Sequence, residues 1–369
     1  MKIKTSAIVY GIRYIRRFGL RTLIIRIIEK KREKDSEYQS FYLETKASLE
    51  QLEKQRMEVS HWNKKEKISI VTPLYHTPAI FLRELIESVL ESSYENWQLC
   101  FADATQDGDE NQIENIVKEY QKMDEKLTGK KSRICYKKLS QNYGIAENTN
   151  QALAMAEGDY IAFLDHDDII TPDALYEMAL AAKCAKKTGK EANMFYSDED
   201  NVNENRTAFF EPHFKPDFNQ DLLNSNNYIT HFLMVSRELL DQVGGINKEY
   251  DGAQDYDFIL RCTELADNVI HIPKVLYHWR VHERSTAAGA GSKDYAIDAG
   301  KCAIESHLQR MGENGKVVVT PYFGFYRIEY GIPPAPPPDA SFLFSSPSLP
   351  PFPAAWPPLF SAACRLPPL

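Results

Sequence analysis

The chain has 369 residues, 43% hydrophobic and 26% charged, an ordinary globular composition with room for one large domain or two smaller ones. Its net charge of -8 is split: residues 1–34 hold eleven Lys/Arg and two Glu, so the remainder stands near -17, too acidic for a nucleic-acid-binding surface. Six cysteines without C-x-x-C spacing fit a reducing cytoplasm rather than a zinc site or disulfide framework, and no apolar run reaches the ~18–20 residues that span a bilayer.

Residues 6–28 read as a helix with Ile8, Ile12, Ile15, Phe18 and Ile25 on one face and Arg13, Arg16, Arg17 and Arg21 on the other. Such a basic amphipathic helix suits an anionic membrane surface, or equally a packed face on the main domain or a partner. It lacks the apolar stretch and cleavage site of a signal peptide. Residues 29–66 are charged and read as a helical connector.

From Ile68 strands and helices alternate: strand 68–71, helix 78–90, strand 98–102 ending at Asp103, helix 110–122, strand 133–137, helix 145–157 and strand 159–164. That order predicts a parallel sheet with helices on both faces. The last strand runs into Asp165-His166-Asp167-Asp168. Ligands bind at the carboxyl ends of such strands, and clustered carboxylates suit Mg²⁺ or Mn²⁺, which in turn binds phosphate oxygens. The alternative is a solvated acidic turn in which Asp168 or Thr171 caps a helix opened by Pro172.

The second half is less regular. A helix spans 172–187, and Met194-Phe195-Tyr196 reads as a strand ending in Ser197-Asp198-Glu199-Asp200, whose acids contact donor sugar or acceptor or else form a solvated turn. Strand 232–235, helix 236–243, Gly244-Gly245, a helix over 256–265 opened by Asp255, strand 275–280 and a helix over 293–311 follow. From Pro333 the chain holds thirteen of its twenty prolines and only Asp339 and Arg365 as charges, so no regular core is expected there. Its composition reads as a frame shift or truncation, or as a proline-rich linker. Three regions are expected: 1–66, 67–330 and 331–369.

Several ordered motifs resemble family-2 glycosyltransferases over residues 67–285: Ser69-Ile70-Val71-Thr72-Pro73-Leu74-Tyr75, Phe101-Ala102-Asp103, Asn142-Tyr143-Gly144-Ile145 with Asn150, Leu164-Asp165-His166-Asp167-Asp168, and Gln254-Asp255-Tyr256-Asp257. Tyr196-Ser197-Asp198-Glu199-Asp200, Phe214-Lys215-Pro216-Asp217 and Tyr277-His278-Trp279-Arg280 are similar to a bacterial subgroup that builds surface polysaccharides, rhamnose-containing ones included. Some members carry tandem transferase domains, and Tyr330-Gly331-Ile332-Pro333 resembles the junction to a second one.

The resemblance implies an α/β fold of the GT-A type, a mostly parallel central sheet flanked by helices with an N-terminal helical extension. It implies an inverting transfer of a hexosyl or deoxyhexosyl group from a UDP- or dTDP-sugar to a glycan hydroxyl, on a lipid-linked acceptor at the inner membrane face. Pro73 and Tyr75 would frame the base, and Asp103 would accept from the N3–H of uracil or thymine. Asn142 and Gly144 would shape the donor loop. Asp165 would meet ribose or sugar, while Asp167, with His282 as a further ligand, would hold Mn²⁺ or Mg²⁺. Asp168 is read as a helix N-terminal acid. Asp255 is the expected base, with a helix N-cap as the bland alternative. Arg280 would face the diphosphate, as would the loop with Ser285. His278 is placed on the opposite face of an extended 275–281 and read as structural, as is His166. Asp198, Asp200 and Gln254 are candidate acceptor contacts, although solvated turn acids would look the same. The rival classes are a nucleotidyltransferase, which lacks its glycine-rich basic loop after the first strand here, and a non-catalytic nucleotide-sugar-binding or assembly protein.

Overall fold

The computed structural model describes residues 36–106, 110–187, 189, 192–282 and 293–331. The basic helix expected over 6–28, Ser285 and the proline-rich stretch from residue 332 lie outside the described residues.

Two short helices come first, α1 (Ser36–Thr45) and α2 (Leu49–Ser60). Ser48 caps α2: its hydroxyl accepts from the Gln51 N–H while Gln51 answers with its side chain, a complete capping box. These helices pack on the α/β body. Val59 and Trp62 enter its core, Tyr42 lies 4.3 Å from Phe209, and the Tyr38 hydroxyl donates to Asp200 at 2.6 Å.

The body continues β1 (Ile68–Leu74), α3 (Ala79–Leu90), β2 (Trp97–Asp103), α4 (Glu110–Thr128), β3 (Ile134–Lys138), α5 (Ile145–Leu153) and β4 (Tyr160–Phe163). β1 and β2 are almost wholly buried because they bear apolar residues on both faces, as a parallel strand covered by helices must. β1 pairs in parallel with β2 and β4, and β2 with β3. Helix α3 turns Leu82, Leu85, Ile86 and Val89 inward at helical spacing.

Then come β5 (Ile169–Ile170), α6 (Ala174–Lys187), β6 (Met194–Asn203), β7 (Phe209–His213), α7 (Gln220–Ser225), β8 (Leu233–Ser236), α8 (Arg237–Val243), a 3₁₀ turn (Lys248–Tyr250), α9 (Gln254–Leu265) and β9 (Val269–Val281). The sheet order is β3-β2-β1-β4-β8-β6-β9-β5, with β7 paired to β6. Beyond β4 the sheet is mixed: β8 runs antiparallel to both β4 and β6, whereas β6 and β9 are parallel. Last are α10 (Lys293–Met311) and the antiparallel pair β10 (Gly315–Val319) and β11 (Tyr326–Tyr330).

Of the two readings open for Ser197–Asp200, strand end or solvated turn, the structure shows strand. β6 runs on to Asn203, and Asp198, Glu199 and Asp200 are all buried within it. Each carboxylate has a buried partner, which removes the usual reason for acids to leave a strand. Ser197, Asp198 and Glu199 face Ile272, Val275 and Tyr277 in turn, so the extra residues, and the bulge, lie on β9.

Candidate functional site

The carboxyl ends of β1, β2 and β4 converge on one sheet edge, with Leu74 opposite Asp103 and Val71 opposite Phe163. Pro73 is half-buried beside Ala102, and Tyr75 is exposed just beyond it with its ring 4.3 Å from that of His76. Asp103 is fully buried. Its carboxylate accepts from the Thr105 N–H at 2.9 Å, the Tyr136 hydroxyl at 2.7 Å and Lys138 Nζ at 3.1 Å. Through the Thr105 N–H it caps its own turn.

Asn142 Oδ1 accepts from the Gly144 N–H at 3.0 Å and Asn148 Nδ2 at 2.8 Å. Gly144 begins α5 at φ +92°, where a Cβ would be strained and would stand 3.1 Å from Asp251 Oδ2. Asn150 ties this helix to the Gly244-Gly245 loop by hydrogen bonds to both the N–H and the carbonyl of Ile246. That loop leads to Asp255.

The acidic run after β4 separates into three environments. Asp165 is exposed, and its Oδ2 lies 3.4 Å from His231 Nε2. Asp167 Oδ2 lies 2.8 Å from His282 Nε2. Asp168 is fully buried and accepts from the Tyr277 hydroxyl and, at 2.7 Å, from the Arg280 N–H. The sequence reading of Asp168 as a helix-start acid is corrected here: α6 begins at Ala174, and Asp168 instead fastens the turn to β9. Burial raises the Asp168 carboxyl well above the usual range, and the charges of Asp167 and Asp165 add to this.

Arg280 is also placed differently from expectation. It is fully buried over the Phe81 ring, donating to the carbonyls of Asp167 and Glu204 at 2.6 and 2.7 Å, with Glu84 Oε2 2.7 Å away. It holds the loop that bears Asp167; a guanidinium so engaged is a brace for the site. His278, two residues away, shares the strand face of Arg280 rather than opposing it. Its structural character comes from burial between Asp200, 2.5 Å from Nδ1, and the Tyr42 hydroxyl, 2.9 Å from Nε2.

Asp255 is the second residue of α9 and not its N-cap, which is Ala253. It is open to water yet crowded by protein, and that desolvation raises its carboxyl above the ordinary range against the opposing charge of His231. Asn227 Nδ2 donates to it at 2.9 Å. Gln254 Oε1 accepts from the Gly252 N–H at 2.8 Å, so it shapes the loop before the helix. Asp198 accepts from the Lys215 N–H and sits 2.7 Å from His271 Nε2, while Asp200 is held by Tyr38 and His278. Both acids are consumed internally.

Two groups could receive a divalent cation. Asp165, Asp168 and His231 present ligand atoms within 4.8 Å of one another. Burial disfavours charge on His231, but Asp165 and Glu199 outweigh it and hold the imidazole well above its ordinary range. Asp167 and His282 form the second group, a carboxylate–imidazole pair. Their 2.8 Å separation is a direct hydrogen bond between carboxylate and imidazole.

Glu199, one of the three acids after Tyr196 that the sequence offers as donor-sugar or acceptor contacts, joins this site, and so do His231 and Tyr277, which no motif marked as site residues. His231 lies in an irregular segment, and only its place one residue before a strand was visible in the sequence.

Residues 69–244 match the family model described as glycosyl transferase family 2. The chain is 38% identical over 263 residues to the uncharacterised protein y4gI of Sinorhizobium fredii, covering 70% of this chain and 27% of that one. It is 34% identical over 276 residues to the O-antigen biosynthesis protein RfbC of Myxococcus xanthus, covering 74% and 20%. The chain thus spans about a quarter or less of the length of these relatives. Among solved structures it is similar to S. aureus TarS 1–349 in complex with UDP-GlcNAc, with TM-score 0.50 and 18% identity over 66% of each chain, a likeness of fold.

Proposed function

We propose, from the premise that this chain carries a glycosyl transferase family 2 domain, that it is an inverting glycosyltransferase of surface-polysaccharide assembly. It moves a sugar from a UDP- or dTDP-linked donor to a hydroxyl of an O-antigen-type or capsule-type glycan on a lipid-linked acceptor. The name of the Myxococcus xanthus relative supports the pathway, and the exposed Tyr75 beside Pro73 at the sheet edge supports a base-binding end.

The observation that carries the reading is the placement of Asp255. It opens α9 toward Asp165 and His231, whose charges both act on it. A carboxyl raised above its ordinary range is a stronger base than a free one. Asp255 takes the acceptor proton as the hydroxyl oxygen attacks the anomeric carbon. The bond to the nucleoside diphosphate breaks with its electron pair, and configuration inverts. Asp167 and His282 would hold Mn²⁺ or Mg²⁺, which would supply charge neutralisation for the departing diphosphate. Arg280 braces the loop that presents them.

None of the described helices is long and apolar enough to cross a membrane. The eleven Lys/Arg of residues 1–34 supply instead a peripheral contact with anionic lipid at the cytoplasmic face.

The test is donor turnover by the full chain across UDP-, dTDP- and GDP-sugars, with and without Mn²⁺. One donor is expected to release its nucleoside diphosphate in a metal-dependent way. Asp255→Asn should lower turnover roughly 10²–10⁴-fold with donor binding kept. Binding of neither UDP nor dTDP by the wild-type chain would overturn the reading.

A further inference from the structure

A buried ionic cluster stands behind the donor-facing acids. Glu199 accepts from Lys215 Nζ at 3.2 Å, Thr230 Oγ1 at 2.9 Å and the His231 N–H at 3.1 Å, and the His231 ring nitrogen Nδ1 lies 3.2 Å from it. Lys215 is fully buried, and its ammonium also donates to the carbonyls of Ile229 and His231. Both the backbone and the ring of His231 are thus fixed from one side. The ring stacks on Tyr277, with centroids 4.7 Å apart and planes 13° from parallel. The Tyr277 hydroxyl in turn receives the Asp165 N–H at 3.3 Å.

With Nδ1 held on Glu199, Nε2 is the ring nitrogen left to face Asp165, 3.4 Å from Oδ2. The His231 side chain is 21% exposed and that of Asp165 51%, so the pair forms the wetted edge of the cluster. On β9, Tyr277 and Trp279 point to the side of His231, and alternation sends Arg280 and His282 to the side of Asp167. Asp165 and His231 belong to the side of Asp255, where acceptor hydroxyl and anomeric carbon meet. Fixed outer partners of this kind set the orientation of a ligating carboxylate.

We infer that His231 is a positioning residue for the transferred sugar. Held from behind by Glu199 and Lys215, it anchors one oxygen of Asp165 and turns the other toward a hydroxyl of the donor sugar. The inference rests on the transferase reading and concerns only the sugar half of the donor.

The test uses the full chain and its His231→Ala, His231→Gln and Glu199→Gln variants. Calorimetry would compare UDP and dTDP with the corresponding nucleotide sugars, and steady-state kinetics would separate kcat from KM. His231→Ala should bind the nucleoside diphosphate within about twofold of wild type. It should lose the added affinity contributed by the sugar, with kcat/KM down roughly 10–100-fold. His231→Gln, whose amide nitrogen reaches the place of Nε2, should recover part of this, and Glu199→Gln should show a smaller loss of the same kind. Nucleoside diphosphate binding that falls in step with nucleotide-sugar binding, or a sugar contribution that is unchanged, overturns the inference. Wild-type chain that binds neither UDP nor dTDP would sink the transferase reading itself, so the two failures are distinct.

Discussion

Residues 68–163 and residues 194–281 build neighbouring parts of one sheet from different materials. In the first, β1 and β2 are buried apolar runs, and charge appears where strands stop, at Asp103 and after Phe163. In the second, β6 and β9 bury Asp198, Glu199, Asp200, His278 and Arg280 within their length. The first is held by transfer of apolar surface from water, which is indifferent to the identity of partners. The second depends on each charge meeting its own partner, and removing one leaves the other stranded.

The strongest way to break this contrast is Lys215→Ala. It leaves Glu199 buried without its main cation, and a loss of about 3–5 kcal/mol in urea unfolding is expected. The paired change Lys215→Met with Glu199→Gln should return most of that stability. In the apolar region, Leu99→Ala should cost about 2–5 kcal/mol, set by the cavity and with no single partner change to restore it. If Lys215→Ala costs no more than ~1 kcal/mol, the second region is not held by its ion pairs.

A smaller effect sharpens the boundary. Tyr42→Phe deprives buried His278 of its hydroxyl partner, and a loss of about 1–2 kcal/mol is expected in the same assay.

The smallest test concerns a polar exception in the apolar region. Cys135 on β3 sits opposite Cys100 on β2. The thiol of Cys100 donates to it, burial opposes this, and Gln98 Nε2 donates at 3.2 Å, leaving Cys135 lowered to about 6. Its thiolate is therefore populated above that pH. Iodoacetamide labelling mapped by mass spectrometry should rise through pH 6 at Cys135, against ~8.5 for an ordinary thiol. Cys100→Ala should move the midpoint upward.

The same contrast explains what could be read in advance. The strands and helices from Ile68 to Phe163 follow from apolar runs and helical spacing, both local signals. Asp103, Asp165 and Asp167 were visible because their strands end there. Ser197–Asp200 stayed open because three consecutive acids also resemble a turn. They are strand because His271, Lys215 and Tyr38 come from elsewhere in the chain to meet them. His231 was missed for a similar reason: its importance lies in two carboxylates 66 and 32 residues away, contacts that no periodicity announces.

Glu199 also carries an evolutionary consequence. His213, Lys215, Thr230 and His231 all converge on one carboxylate. Effects of changes at such a hub cannot add, because each substitution alters what the next one removes. Glu199 cannot drift alone, and a lineage leaving this arrangement would cross less stable intermediates before a new set of partners was complete. Related chains that depart from it should therefore differ at several of these positions together, as one inherited block.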